Sequence, residues 1–424
     1  MKGLNLHLTN YKAVADANIE LSGLTVLAGV NSSGKSTLAR LFHATVQGMR
    51  DYDAYAEMAA LETDAGRALM AICEYLTEIK VLRSNLLKMQ PGMRGLQVDE
   101  EFGLRVTEAR NSLLKATENG LDSRVLMNLS LRLERTIGTQ AEMREVIIEK
   151  FNEVSRFYDQ RQSADAQQII LALALRQRTG WRNEGNTSSL SISDGDALLF
   201  DTSQVPSERN PLYSLQRSVY IDSPGVTEFS VVGDGRLRVG MDEYAANSTA
   251  LANDKFDSDF FAQICQMTGG ILTKNNPMSG LPGSWLFSDV ARRYTIPISE
   301  CAEGIKSVSP LAFLERAGLL TAGTLLVIDE PETHQHPQWI VMYAKMLMWL
   351  LKNRKMRILL ATHSAYLVRA LQTAANDMDC LGELNYYLAV PSDAGNVFKP
   401  QGSDIGGIFK IFNVALRETA FYRE

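Results

Sequence analysis

The sequence predicts an α/β protein: a mostly parallel sheet with helices packed on it, interrupted by a large helical insertion. Three observations carry this. Residues 24–28 (LTVLA), 325–328 (LLVI) and 358–361 (ILLA) are short apolar runs, the pattern of strands buried on both faces. From Glu303 onward the pattern alternates helix, strand, helix, strand, helix, as a parallel sheet with crossover helices requires. Residues 50–180 are sparse in Gly and Pro and rich in Leu, Ala, Glu and Arg, the composition of helices.

The elements follow in order. Leu4, Leu6 and Leu8 alternate with polar positions in a first strand, and Ile19 and Leu21 continue in a second. The third, 24–28, runs into a loop and a helix. Within the insertion, Leu69, Ile72, Leu76, Ile79 and Leu86 keep helical spacing and form one apolar stripe. Pro91-Gly92, Asn119-Gly120 and Gly138 punctuate it into about four helices, roughly 53–90, 99–118, 121–136 and 141–178. Such an insertion is a solvated helical body with its own core, and it is also free to touch a partner. Residues 181–210, rich in Ser, Asn, Asp and Gly, read as loop. Strands are expected at Arg217–Asp222, near Gly270–Thr273, Trp285–Ser288, Tyr294–Ile298, Tyr386–Val390 and Val397–Lys399, with a terminal helix at Ile408–Phe421. The expected organisation is an N-terminal lobe at 1–48, a helical insertion at 49–185, a linker at 186–216 and a C-terminal lobe at 217–424.

Composition narrows the function classes. With 424 residues and 45% apolar content, the chain can bury a large core in two units, or in one domain with an insertion. A net charge of −6 leaves no global footprint for nucleic acid. The apolar runs are too short to span a membrane, and MKGLNLHLTN reads as a strand rather than a signal peptide. Cys73, Cys265, Cys301 and Cys380 lie far apart without metal spacing and read as free thiols of a reducing cytoplasm. The expectation is a cytoplasmic protein with no membrane partner.

Four segments carry chemistry. GVNSSGKST, from Gly29 to Thr37, fits the G-x-x-x-x-G-K-[ST] phosphate loop between an apolar strand and a helix. Gly29 and Gly34 permit backbone angles that let the N–H groups of Asn31, Ser32, Ser33 and their neighbours converge on one concavity. The helix N-terminus adds partial positive charge, Lys35 reaches the outer phosphates, and Ser36 ligates Mg²⁺. LLVIDEPETHQHP ends a buried strand in two carboxylates, Asp329 to hold Mg²⁺ and Glu330 to polarise the attacking water. ILLATHSAYLV places His363 at a strand end, able to contact a γ-phosphate, with Ser364 as helix N-cap. CAEGIKSVSPLAFLERA is a small-residue loop opening a helix just upstream of the acidic strand. His334-Gln335-His336 lacks the partner ligands of a metal site and reads as loop packing. The expected bound molecule is ATP with Mg²⁺, and the expected reaction is hydrolysis with Lys35, Glu330 and His363 as the acting groups.

The order of these segments resembles the ABC-type ATPases of the OLD and RecF/SMC group, most closely the stand-alone OLD-like ATPases of prokaryotic anti-phage systems. The resemblance covers about residues 1–48 and 218–424 and leaves the insertion unassigned. It implies the P-loop fold of that type and an ATP-sandwich dimer or higher oligomer, in which Ala302-Glu303-Gly304 of one subunit caps the phosphate of the other. Ala302 stands where the group has Ser, which implies slow turnover. Gln216, before the RSVYID strand, is a candidate for the group's glutamine loop, which no motif here assigns firmly. No acidic nuclease cluster follows the ATHS segment, so the resemblance implies a separate effector protein, a nuclease, with DNA or a phage component as a further candidate partner of the insertion. The alternative within the same group is a RecF/SMC-like ATPase of DNA repair or chromosome maintenance. A transporter subunit and a small GTPase fit less well, since LSGGQ and N-K-x-D are both absent.

Overall fold

The computed structural model describes residues 3–82, 101–118, 121–182, 187–222, 259–274, 285–316, 318–333, 335–402 and 405–412. The chain divides into two compact units. The first comprises Met1–Gln47, Arg178–Ser203 and Pro211–Glu424; the second comprises Gly48–Gln177 and Gln204–Asn210.

The first unit is built on strands β1 (Leu4–Tyr11), β2 (Val14–Leu21), β3 (Leu24–Ala28), β4 (Ser189–Asp194), β5 (Ala197–Asp201), β6 (Arg217–Ile221), β10 (Thr324–Asp329), β11 (Arg357–Thr362), β12 (Leu384–Ser392) and β13 (Gly395–Pro400). They form one ten-stranded sheet in the order β5-β4-β1-β2-β13-β12-β3-β11-β10-β6. The segment β12-β3-β11-β10-β6 is parallel throughout. Its inner strands are apolar because both faces are covered: all five residues of β3 and all six of β10 are buried. By contrast, β1 alternates, with Leu4, Leu6 and Leu8 buried and His7 exposed. Helix α1 starts at Lys35 and runs to Arg50. Helices α10 (Pro337–Arg354) and α11 (Ala365–Asp377) pack together beside the sheet. Tyr343, Leu347, Leu350, Val368 and Leu371 join the strand residues Val26, Ile328 and Leu360 in one core.

A small antiparallel sheet of β7 (Gly270–Lys274), β8 (Trp285–Asp289) and β9 (Tyr294–Pro297) belongs to the same unit. Helix α8 (Asp259–Thr268) contacts α9 (Glu303–Arg316). A short helix α12 (Gly406–Phe412) contacts α11. The expected helix beyond residue 412 lies outside the described residues. Among the described residues no helix is long and apolar enough to cross a membrane.

Residues 189–201 differ from the loop expected there. They form β4 and β5, with β4 paired antiparallel to β1 from Leu4↔Asp194 to Thr9↔Ser189. Leu190 and Ile192 are buried while Ser189, Ser191 and Ser193 alternate with them, a two-residue period hidden inside a polar composition.

The second unit is helical: α2 (Tyr52–Glu62), α3 (Asp64–Glu78), α4 (Glu101–Glu118), α5 (Ser123–Arg132), α6 (Gln140–Asp159) and α7 (Ala164–Thr179), the last continuing past the unit boundary. Among the described residues six helices stand where four were expected, because two of the long spans break. At Thr63 the chain leaves helical geometry with ψ 162°, and its hydroxyl accepts from the Gly66 N–H at 3.1 Å. At Gln160–Ser163 a turn intervenes, and Ser163 Oγ accepts from the Ala166 N–H at 3.2 Å. Helix α6 packs on α2, α3 and α4. Leu69, Ile72 and Leu76 of the predicted stripe are buried in this core, Ile79 is an exposed C-cap, and Leu86 lies outside the described residues. The 204–210 segment is tied to α7 through Gln167, whose amide exchanges hydrogen bonds with the Asn210 backbone at 2.9 and 3.0 Å.

Helix α6 starts at a capping box: the Thr139 hydroxyl accepts from the Glu142 N–H at 3.2 Å, and the Glu142 carboxylate accepts from the Gly138 and Thr139 N–H groups. Thr139→Ala is expected to lower stability of the helical unit by about 1 kcal/mol. Chemical denaturation followed by circular dichroism measures it, and an unchanged midpoint would mean the box contributes nothing.

Candidate phosphate-binding and acidic site

The register of the parallel strands brings the predicted segments to one place. Ala28, the end of β3, pairs with Thr362, the end of β11, and Asp329, the end of β10, pairs with Ala361. The phosphate loop, the acidic pair and the ATHS segment therefore leave the sheet side by side, with His363 on the strand between the other two. The Gly29 N–H continues the ladder to the Thr362 carbonyl at 3.3 Å, and the Glu330 N–H reaches the Ala361 carbonyl at 2.9 Å.

Of the two loop glycines, Gly34 takes the left-handed backbone expected and Gly29 does not; at Gly29 it is space that selects glycine, a Cβ falling 2.8 Å from Ala389 Cβ and Ser33 Oγ. Gly34 has φ +100°, and a Cβ there would sit 2.5 Å from Val14 Cγ2, so both conformation and space select glycine. Ser32 also takes a left-handed φ of 61°, while Asn31 and Ser32 are exposed and Ser33 is buried. Ser36 and Thr37 lie half-buried in the first turn of α1. Lys35 is buried, and its ammonium donates to the carbonyls of Gly29 at 2.9 Å and Val30 at 2.8 Å. Burial pushes its pKa below the usual lysine value, and the negative fields of Glu330, Asp329 and Glu332 oppose that shift.

Asp329 is buried, and its Oδ2 accepts from the Tyr220 phenol at 2.8 Å. Oδ1 is buried without a hydrogen bond of normal geometry, and the Ser36 hydroxyl is close enough to favour the ionised carboxylate. Burial pushes the Asp329 pKa up, the Ser36 and Tyr220 hydroxyls pull it down, and the acidic neighbours Asp222 and Glu330 add to the rise. Arg40, one turn along α1 from Ser36, feels the field of Tyr220, Asp222 and Asp329. His43, on the next turn, is buried against Ser218 Oγ at 2.9 Å and against the edge of the Tyr220 ring. Burial lowers its pKa to about 3, so it stays neutral.

Glu330 adopts a left-handed φ of 48° just past the strand end. Its Oε1 lies 3.3 Å from His363 Nδ1. Glu332, two residues on, is buried; its Oε1 accepts from Thr362 Oγ1 at 2.5 Å and from the His363 N–H at 3.0 Å. Ser364 caps α11 as expected, accepting from the Leu367 N–H at 3.2 Å. Sequence reasoning missed Tyr220 and Glu332. Tyr220 was legible only as an apolar strand residue, and Glu332 looked like one more polar residue of a turn.

One residue expected near the metal, Gln216, is not gathered here. Gln216 precedes β6, whose first residue pairs with Thr324 at the start of β10. That is the opposite end of the sheet from Asp329, and the Gln216 N–H bonds the Gly323 carbonyl at 2.8 Å, so Gln216 cannot reach a metal at Asp329. Gly304, expected at the partner subunit's phosphate, lies in the first turn of α9, where a Cβ would sit 2.7 Å from the Trp339 ring. Exposed Ala302 precedes that helix and accepts from the Ile305 and Lys306 N–H groups. His336, expected to pack in its loop, is instead an exposed N-cap whose Nδ1 accepts from the Gln338 N–H, and His334 lies outside the described residues. All four cysteines are free.

The family model of an AAA ATPase domain matches residues 251–368, a stretch holding α9, Asp329, Glu330 and His363. A search among curated proteins found no match. Similar solved structures include the SMC head domain from Thermotoga maritima, 11% identical, with a TM-score of 0.37 over 94% of this chain and 99% of that one. Another is the Smc head domain from Pyrococcus furiosus with an extended coiled coil, bound to the C-terminal domain of ScpA, 10% identical with a TM-score of 0.35 over 100% of both chains. A third is the Smc head domain with a coiled coil and joint from Pyrococcus yayanosii, 11% identical with a TM-score of 0.38 over 98% of this chain and 100% of that one. The domain match supports an ATPase domain over 251–368, and β3, the 29–34 loop and α1 have the strand–loop–helix geometry of a P-loop fold.

A carboxyl whose folded pKa lies above its unfolded value stabilises the fold while protonated and ceases to do so as pH rises through the raised pKa. Without nucleotide or divalent metal, ionised Asp329 therefore weighs against the fold at neutral pH. Asp329→Asn is expected to melt above the unsubstituted protein in EDTA at high pH, with the gap narrowing as the pH is lowered and the native carboxyl protonates. A variant that melts lower at the higher pH contradicts this account of the site's electrostatics.

Proposed function

We propose that this chain is a slow Mg²⁺-dependent ATPase that binds ATP on Gly29–Thr37 and hydrolyses it with Glu330 as general base. The carrying observation is the flush register of three parallel strand ends that sets Lys35, Asp329, Glu330 and His363 around one point. The N–H groups of residues 31–37 and the α1 N-terminus would hold the phosphates, with Lys35 exchanging its loop carbonyls for phosphate oxygens. Ser36 and Asp329 fit a hard cation: both offer oxygen, and Asp329 Oδ1 is buried without a hydrogen-bond partner. Bound there, Mg²⁺ would neutralise charge on the outer phosphates. Glu330, partly exposed, would orient and deprotonate the attacking water, and His363 would contact the γ-phosphate.

Lys35→Ala is expected to abolish ATP binding. Glu330→Gln is expected to keep it and to lose about 10²–10⁴-fold in turnover. Hydrolysis at the native rate by purified Glu330→Gln would remove Glu330 from the role of base.

The Ala302-Glu303-Gly304 turn supports an ATP-closed pair of subunits. It opens a fourteen-residue helix, whose N-terminus would face the partner's phosphates. The methyl of Ala302 supplies no hydroxyl there, which supports slow turnover. Light scattering of Glu330→Gln is expected to register a pair with ATP and its loss with ADP. A strict monomer with bound ATP contradicts the sandwich.

The resemblance of the motif order to stand-alone OLD-like ATPases supports a cellular role as motor of an anti-phage system with a separate effector, a nuclease. The helical unit has its own core, and its residues are not used in ATP chemistry, so it is free to take the partner. Coupling requires the partner to bind one nucleotide state more tightly than the other. Purification from the native operon is expected to retain a neighbour-encoded nuclease in a nucleotide-dependent way. Retention of replication or repair proteins instead would assign the chain to DNA maintenance.

A further inference from the structure

The loop after the acidic pair carries a second buried carboxylate that ATP hydrolysis as described does not use. Glu332 is almost fully buried, and one of its oxygens, Oε2, has no hydrogen-bond partner. Such a group is costly to keep in a fold, since an unpaired buried carboxylate oxygen loses its water without replacement. Burial accordingly pushes its pKa up, against the pull of its hydrogen bonds from Thr362 and His363. A structural role does not ask for the charge. A glutamine carbonyl could accept the same two hydrogen bonds, and its amide would not carry the desolvation cost of an anion.

What the charge does reach is His363. Glu332 Oε1 lies 3.5 Å from His363 Nδ1, while Glu330 Oε1 lies 3.3 Å from the same nitrogen. That nitrogen is buried and has no hydrogen bond of normal geometry. The backbone under it is clamped by the same carboxylate. Glu332 Oε1 takes the Thr362 hydroxyl and the His363 N–H, and Thr362 Oγ1 in turn accepts from the Ser364 N–H at 3.0 Å. One oxygen thus joins the loop of Glu330 to the strand end that carries the histidine.

We propose that Glu332 is a positioning residue for His363: its buried carboxylate ties the 362–364 backbone to the acidic loop and draws the imidazole Nδ1–H toward the two glutamates, which turns Nε2 to the opposite side. A ring nitrogen can serve at a phosphate or a water only if its tautomer and orientation are set, and a carboxylate on the other nitrogen sets both. The inference rests on the ATPase reading and on His363 acting in it.

Glu332→Gln tests the charge while keeping the size and the acceptor. ATP affinity, measured with a fluorescent ATP analogue, is expected to stay within about 2-fold, the melting temperature to hold or rise, and kcat to fall about 10–100-fold. Thr362→Val, which removes the hydroxyl from the clamp at nearly constant volume, is expected to lower kcat in the same direction without weakening ATP binding. The double variant Glu332→Gln/His363→Ala is expected to turn over like His363→Ala alone, because the carboxylate acts through the ring. Native kcat in Glu332→Gln overturns the proposal, and so does a loss that multiplies with that of His363→Ala. If Glu330→Gln is inactive while Glu332→Gln is fully active, the ATPase reading stands and the positioning role falls. If Glu330→Gln hydrolyses ATP normally, the base assignment fails separately.

Discussion

The register between three adjacent parallel strands governs everything at the site. Ala28 opposite Thr362 and Asp329 opposite Ala361 mean that β3, β11 and β10 end at nearly the same level. A slip along the ladder would carry a strand end and its loop about 3.3 Å per residue along the strand. It would also turn each buried strand's side chains to the other face. Because β3 and β10 are buried on both faces, core packing specifies this register, and the loops inherit it. The Gly29 and Glu330 N–H groups extend the ladder one residue beyond the strands, so the first residue of each loop is held by backbone bonding before any side chain contributes.

On that frame the site concentrates charge where there is little water. Burial pushes the pKa of Lys35 down and those of Asp329 and Glu332 up, each in the direction of the neutral form. Their mutual fields and the donors from Ser36, Tyr220, Thr362 and the His363 backbone work the other way. Positive φ at Ser32 and Glu330 adds backbone strain at the same place. These features cost stability, and they are carried by a large apolar core around β3, β10, β11 and the helices α10 and α11. Buried carboxylates gathered beside a buried lysine are poorly suited to folding alone and well suited to polyphosphate with a divalent cation.

Much of this was legible in the order of residues. The β3–loop–α1 unit was, because glycine spacing, lysine and an apolar strand occur within a few positions. Asp329, Glu330 and His363 were, because each closes an apolar run. The long helical segment was legible by composition, but its breaks at Thr63 and Ser163 were not: a single Ser or Thr caps a helix only when its hydroxyl meets a free N–H, and composition does not record that. β4 and β5 were hidden because their serines and aspartates mimic a linker, while Leu190 and Ile192 face the core only once β1 lies beside them.

By itself, then, the sequence determined the local chemistry: which loop can cradle phosphate, which strand ends carry acids, and that sheet and helices alternate. These depend on residues a few positions apart, whose geometry the backbone dictates directly. The tertiary structure decided which distant residues complete the site. Tyr220 meets Asp329 across 109 positions, and Glu332 meets Thr362 across 30, while Gln216, plausible by position alone, falls at the far end of the sheet. Strand order and direction set those meetings, and they emerge only when buried strands from separate parts of the chain pair in one register.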